Sequence, residues 1–137
     1  MKKRAFVSHQ AKVELAMRKI ACAMVTAVCI QITNDCKMEA RGGFKGGAFV
    51  TRGWQGIRWQ VDCGGRKPRG VVGHHEKHFM FWEMGHHNAW TRQYERNQWL
   101  TKGFMRDQPA QRRVADVAAR VTAAKYSTPV SPWVRRP

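Results

Sequence analysis

A chain of 137 residues with 43% hydrophobic content can bury one modest core and is too short for two, so a single domain is expected. Its 25 Lys and Arg against nine Asp and Glu leave a formal net charge of +16, which implies a polyanionic neighbour or a strongly acidic protein partner. Charge of this kind reports association and leaves the chemistry unassigned.

Lys2-Lys3-Arg4 opens a short basic arm over residues 1 to 7. Glu14, Arg18 and Lys19 interrupt the boundary a secretory signal would need. The uncharged run Ile20 to Ile32 is shorter than the roughly 20 apolar residues of a membrane span, so no membrane is expected. Val13, Met17, Ile20, Met24, Val28 and Gln31 follow helical spacing along one face. They predict a helix capped by Ser8 and ending near Thr33-Asn34-Asp35. Cys22, Cys29 and Cys36 recur every seventh residue, and no cysteine pair has the two-residue spacing of a zinc knuckle or redox motif. Cys22 and Cys29 are therefore expected as small apolar fillers on one helix face rather than as disulfides, which suits a reducing cytoplasm.

Gly42-Gly43-Phe44-Lys45-Gly46-Gly47 predicts a loop. It lacks the Ser or Thr that follows lysine in a phosphate-binding loop. From Gly56 to Cys63 the period becomes two, with Ile57, Trp59, Val61 and Cys63 alternating against Arg58, Gln60 and Asp62 in the manner of a half-buried strand. Gly64 to Gly70 is a turn carrying Arg66, Lys67 and Arg69, and Val71-Val72-Gly73 a short strand. After a connection at His74 to Lys77, His78 to Met84 reads as an aromatic strand and residues 86 to 98 as a polar loop. Asp107 can cap a final helix with Pro109 in its first turn, a stripe at Val114, Val117, Val121 and Ala124, and an end near Tyr126. Residues 127 to 137 read as an extended arm whose Trp133 requires a partner surface. The expected fold is α+β: an antiparallel sheet of about four strands packed against an N-terminal and a C-terminal helix, over residues 8 to 126.

No catalytic set emerges. His75-Glu76-Lys77-His78 is one residue short of the metalloprotease spacing, and a strand would hold His74 and His78 too far apart for one ion. His87-Asn88 has no later histidine to complete a nuclease pattern. Cys63 has no assigned base, and Glu76 and Glu83 no defined pairing. Neither an enzymatic activity nor a cofactor or metal is expected. Arg52, Trp54, Arg58, Trp59, Arg66, Lys67 and Arg69 have the composition of a nucleic-acid surface, but the alternation turns Trp59 inward.

Three separated segments resemble one family, the head-to-tail joining proteins of long-tailed double-stranded DNA phages, known as neck, tail-completion or minor tail-component proteins. Thr51-Arg52-Gly53-Trp54-Gln55-Gly56-Ile57 is similar to the family's threonine-glycine-x-leucine segment leading into a strand, with one inserted residue and Trp54 in the leucine's role. Phe81-Trp82-Glu83-Met84-Gly85 resembles its valine-glutamate-phenylalanine-glycine strand end. Gly103-Phe104-Met105-Arg106-Asp107-Gln108-Pro109 resembles its proline-phenylalanine-leucine-arginine-proline segment, with Gly103 and Asp107 where the prolines would stand. The resemblance implies a non-enzymatic virion protein of the neck, assembled in the host cytoplasm into a ring, a hexamer ahead of a dodecamer. It would join head connector or portal-adaptor proteins to tail terminator or tail tube proteins, with non-specific contact to packaged DNA as a further role for the charge. Glu83 and Gly85 would fix the end of the aromatic strand. Arg66, Lys67, Arg69, His86, His87, Trp133, Arg135 and Arg136 are the candidate interface residues. The alternative is a small basic DNA-binding protein, and a metal-dependent nuclease is a weaker third reading.

Overall fold

The computed structural model describes residues 2–43, 55–75, 83–87, 92, 94–95 and 98–126. Helix α1 spans Lys2–Gly43, strands β1 and β2 are Ile57–Asp62 and Arg69–His74, and β3 and β4 are the short His86–His87 and Tyr94–Glu95. Helix α2 is Trp99–Arg106 and α3 is Gln108–Tyr126.

Between Lys2 and Arg41 the sequence holds neither proline nor glycine and is rich in alanine, so α1 propagates unbroken for 42 residues, about 63 Å, until Gly42-Gly43 ends it. The basic segment expected as an arm is thus helical from Lys2, and Ser8 lies within the helix. Thr33-Asn34-Asp35 does not stop it, because polar side chains there bond within the helix. Thr33 Oγ1 donates to the Cys29 carbonyl at 2.7 Å, and Gln31 Nε2 donates to both Asp35 carboxylate oxygens at 3.2 Å. Over Gln10–Arg41, α1 reaches by length and composition the size of a membrane-crossing helix, which the shorter run Ile20 to Ile32 did not suggest. Yet the hairpin, α2 and α3 all pack against α1.

The buried side of α1 is Cys29, Ile32, Thr33, Cys36 and Ala40. That is not the predicted face: Ile20, Met24, Val28 and Gln31 are only half-buried, Val13 is exposed, and Met17 is 64% exposed. The run from Ile20 to Ile32 is apolar on nearly every side, so periodicity alone could not choose the face. The small cysteines and alanine mark where other elements approach closely.

β1 and β2 form an antiparallel hairpin with Ile57 opposite His74 and Asp62 opposite Arg69. Its inner face brings Ile57, Val61, Gly70 and Val72 toward α1, while Arg58, Gln60, Arg69 and Val71 face outward, as the alternation predicted. Ile57 joins Ile32, Cys36, Ala40 and Trp99 in the core, with Val28, Val72 and Leu100 packed against it. Trp59, opposite Val72 in mid-strand, is an exception: the alternation turned it inward, yet it stays 42% exposed. The fold is mixed α and β and rich in helix. Among the described residues no four-stranded sheet forms; β3 pairs only with β4. Glu83 and Met84, expected at the end of the aromatic strand, lie in a helical turn, and the rest of that strand, His78 to Trp82, falls outside the described residues.

Asp107 caps α3 as expected, its Oδ1 accepting from the Ala110 amide at 2.9 Å, and the helix ends at Tyr126. The predicted stripe holds at Val114 and is otherwise displaced by one residue, with Ala124 also exposed. Val117 and Val121 are 57% and 54% exposed, and the covered positions are Gln111, Val114, Ala115, Ala118, Ala119 and Thr122. Alanines let α3 lie close to α1, and the bulkier valines remain outside.

Candidate functional site

One of the resemblance's segments, Phe81 to Gly85, reaches the start of α2, the helix whose second half holds part of another, Gly103 to Pro109. Gln98, the residue before this helix, is left-handed (φ 51, ψ 44) and makes no capping bond through its own side chain. The open amides are instead closed by Glu83, 17 positions before Leu100: its Oε2 accepts from the Leu100 amide at 2.9 Å. Its Oε1 accepts from the Thr101 amide at 2.9 Å and from the Thr101 hydroxyl at 2.5 Å. A carboxylate here satisfies amides that α2 cannot bond internally, and it faces the positive end of the helix dipole. Two residues on, Gly85 has φ 96, a conformation side chains disfavour. Glu83 thus holds the start of α2, and Gly85 lies where the chain passes from the helical turn at Glu83 and Met84 into β3.

Glu83→Ala is expected to lower stability by about 1 kcal/mol, the usual worth of a helix cap. Gly85→Ala should cost about 1 kcal/mol through backbone strain alone. Urea unfolding of both variants, with Glu83→Gln as the conservative control expected to lose less, checks the pair.

The far end of α2 is held from two sides. Gln111 Nε2 donates to the Phe104 carbonyl at 2.7 Å, and Arg106 Nη1 reaches Glu39 Oε1 at 3.1 Å, a partly exposed pair worth only some tenths of a kcal/mol. Phe104 and Met105 of this helix are partly exposed, and Met84 is exposed as well. Gly103 is fully covered because α2 rests there directly on Cys36, whose Sγ donates to the Leu100 carbonyl at 3.6 Å. The glycine that replaced a proline in the resemblance is thus a close-packing position. Burial, followed by the nearby carboxylates of Glu83, Asp35 and Glu39, pushes the Cys36 thiol up to about 12, and burial also raises Cys29.

A cleft of about 170 Å³ lies between α1, the hairpin and α2, walled by Cys29, Cys36, Val72, Leu100 and Phe104. It is apolar and carries no activated nucleophile. A more open hollow of about 350 Å³ on the hairpin is lined by Arg58, Trp59, Gln60, His74 and His75. The two imidazoles stack at 5.1 Å, and His75 Nδ1 lies 3.3 Å from the Gly56 carbonyl. Among the described residues, no three His, Cys, Asp or Glu side chains group as metal ligands.

Of the residues singled out from sequence, Glu83, Gly85, Phe104, Met105 and Arg106 gather around α2, and Ile57 enters the core beneath it. Arg66, Lys67 and Arg69 lie at the end of the hairpin, all three exposed. His86 and His87 form β3. Thr51, Gly53, Trp54, Phe81, Trp82, Trp133, Arg135 and Arg136 lie outside the described residues.

The cysteine expectation fails at one pair. Cys22 and Cys63 form a disulfide with their Cα atoms 5.8 Å apart, while Cys29 and Cys36 are the buried fillers. Cysteine usage therefore no longer argues for a reducing compartment. The sequence did carry a signal for the bond. Cys63 shares the parity of Ile57 and Val61, which turn toward α1, and Cys22 heads the cysteine row on that helix.

The chain matches no family model, no curated protein and no solved structure.

Proposed function

We propose that this chain is a structural subunit of the head-to-tail joint of a long-tailed double-stranded DNA phage, acting as one member of a closed ring in the virion neck. The observation that carries the reading is the bond between Glu83 and the start of α2. It ties Phe81 to Gly85, the most similar segment, to the first turn of the helix whose second half carries Gly103 to Arg106 of another. Ring closure requires two unlike surfaces on each subunit. Exposed apolar side chains on α2 (Phe104, Met105) and on α3 (Val117, Val121) are available for such contacts. The excess of positive charge suits acidic connector and tail rings, because DNA held by many cations would not slide freely through a lumen.

Native mass measurement of the purified protein in the absence of DNA tests this reading. A closed oligomer is expected, hexamer ahead of dodecamer, and Glu83→Ala and Gly85→Ala should lower the yield of infectious particles. The basic turn with Arg66, Lys67 and Arg69 supports the alternative, a small basic DNA-binding protein. A protein that stays monomeric and whose DNA affinity falls on the order of a thousandfold from low to physiological salt would establish that alternative instead.

A further inference from the structure

The four cysteines divide into two classes. Cys22, on α1, and Cys63, just past β1, are bonded across a sequence separation of 41, whereas Cys29 and Cys36 are free and buried. Successive α1 cysteines are seven residues apart, about 10.5 Å of helical rise. A disulfide tolerates Cα separations of about 4.4–6.8 Å, so no two of them can pair while α1 stays helical. Any bond must therefore run from α1 to Cys63.

Only one of the three α1 sulfurs is open to that bond. Cys29 Sγ lies against Gly70, so closely that an added Cβ there would collide with it, and the β2 backbone shuts it in. Cys36 has 0% exposure and sits under α2 against Gly103. Burial also raises both thiols, Cys36 to about 12, which disfavours their thiolate forms. Cys63, by contrast, is exposed, and Cys22 is half-buried beside it.

We propose that Cys22–Cys63 is a reversible thiol–disulfide couple, opened and closed by low-molecular-weight thiols and disulfides that attack at Cys63, the exposed residue of the pair. It fastens the β1–β2 hairpin to α1 while Cys29 and Cys36 stand outside the exchange. In opening, an incoming thiolate attacks Cys63 Sγ, a mixed disulfide forms there, and the bond to Cys22 breaks with Cys22 leaving as thiolate. A second thiolate attacks the external sulfur of the mixed disulfide and releases Cys63. Two small thiols are oxidised to their disulfide as the protein disulfide is reduced by two electrons, and closing is the reverse with the small disulfide as oxidant. The bond stands at the base of the turn that carries Arg66 and Lys67, so the couple governs how firmly this basic turn is held.

The test is alkylation of the intact native chain, mapped by peptide mass, after equilibration with oxidised or reduced glutathione. With the oxidised form, Cys22 and Cys63 should be unlabelled. With the reduced form they should label at least about tenfold faster than Cys29 and Cys36, and brief exposure should leave glutathione on Cys63 and not on Cys22. Returning the oxidised form should restore the starting pattern. Free Cys22 and Cys63 under oxidised glutathione, a bond from Cys63 to Cys29 or Cys36, or equal labelling of all four would each overturn the proposal. The Cys22→Ser/Cys63→Ser variant provides an independent reading. Its Cys29 and Cys36 should remain as slow as in the wild type, and labelling at the rate of a free thiol would show that the burial depends on the bond.

Discussion

The Cys22→Ser/Cys63→Ser protein is expected to be about 4 kcal/mol less stable than the oxidised wild type, a larger loss than any single substitution at α2 should cause. The bond closes a loop with a sequence separation of 41, and the chain-entropy relation for that length gives this value. Packing alone holds the hairpin modestly. Ile57 is its one fully buried large side chain, Val61 and Val72 are half-buried, and Trp59 is 42% exposed. Unfolding in urea of oxidised wild type, reduced wild type and the double variant separates the bond from the substitutions. The latter two should share a midpoint well below the first. The oxidised protein should also show the smaller dependence on denaturant, since its cross-linked unfolded state exposes less surface. Coincident midpoints for all three would mean that the hairpin is held by its side-chain contacts, with the bond adding nothing.

What could be read in advance follows from how local each interaction is. The cap at Asp107, the position of Pro109 and the end at Tyr126 were legible because a helix start is written within four residues. The hairpin was legible for the same reason, its inner and outer faces alternating along β1. The packed side of α1 was not, because apolar residues surround that helix from Ile20 to Ile32. Valine at 117 and 121 looked more like core than alanine at 115, 118 and 119, yet close approach of two helices selects the smaller residue. At the candidate site, the sequence singled out Glu83 and Gly85 but attached them to a strand, whereas Glu83 lies in a helical turn and bonds the start of α2. That partner is 17 residues away, and no periodicity connects a carboxylate to an amide at that distance. Gly103 was noticed only as a departure from a proline, and its reason, the Cys36 backbone, lies on another element.

Gly103→Ala provides the sharpest test of how α2 sits on α1, because two effects of opposite sign compete. Helix propensity alone favours alanine over glycine by about 1 kcal/mol in an interior position such as this one. Against that, an added Cβ would stand 2.5 Å from Cys36 Cα and 2.6 Å from Cys36 N, besides meeting its Sγ. Those backbone atoms cannot rotate aside, so α2 must lift, loosening Trp99, the Cys36 bond to the Leu100 carbonyl and the Glu83 cap together. Overpacking of this kind costs about 3 kcal/mol, so a net loss of about 2 kcal/mol is expected, where propensity predicts a gain. Gly70→Ala is the contrast, since its obstructions are side-chain atoms, Cys29 Sγ and Val25 Cγ1 at 2.9 Å. Adding Cys29→Ala should recover much of the Gly70→Ala loss, whereas adding Cys36→Ala should leave the Gly103→Ala loss largely in place, the backbone contacts being unchanged. Stabilisation by Gly103→Ala, or its full rescue by Cys36→Ala, would show that α2 does not rest on the α1 backbone, and the helix that Glu83 caps would then be docked through side chains alone.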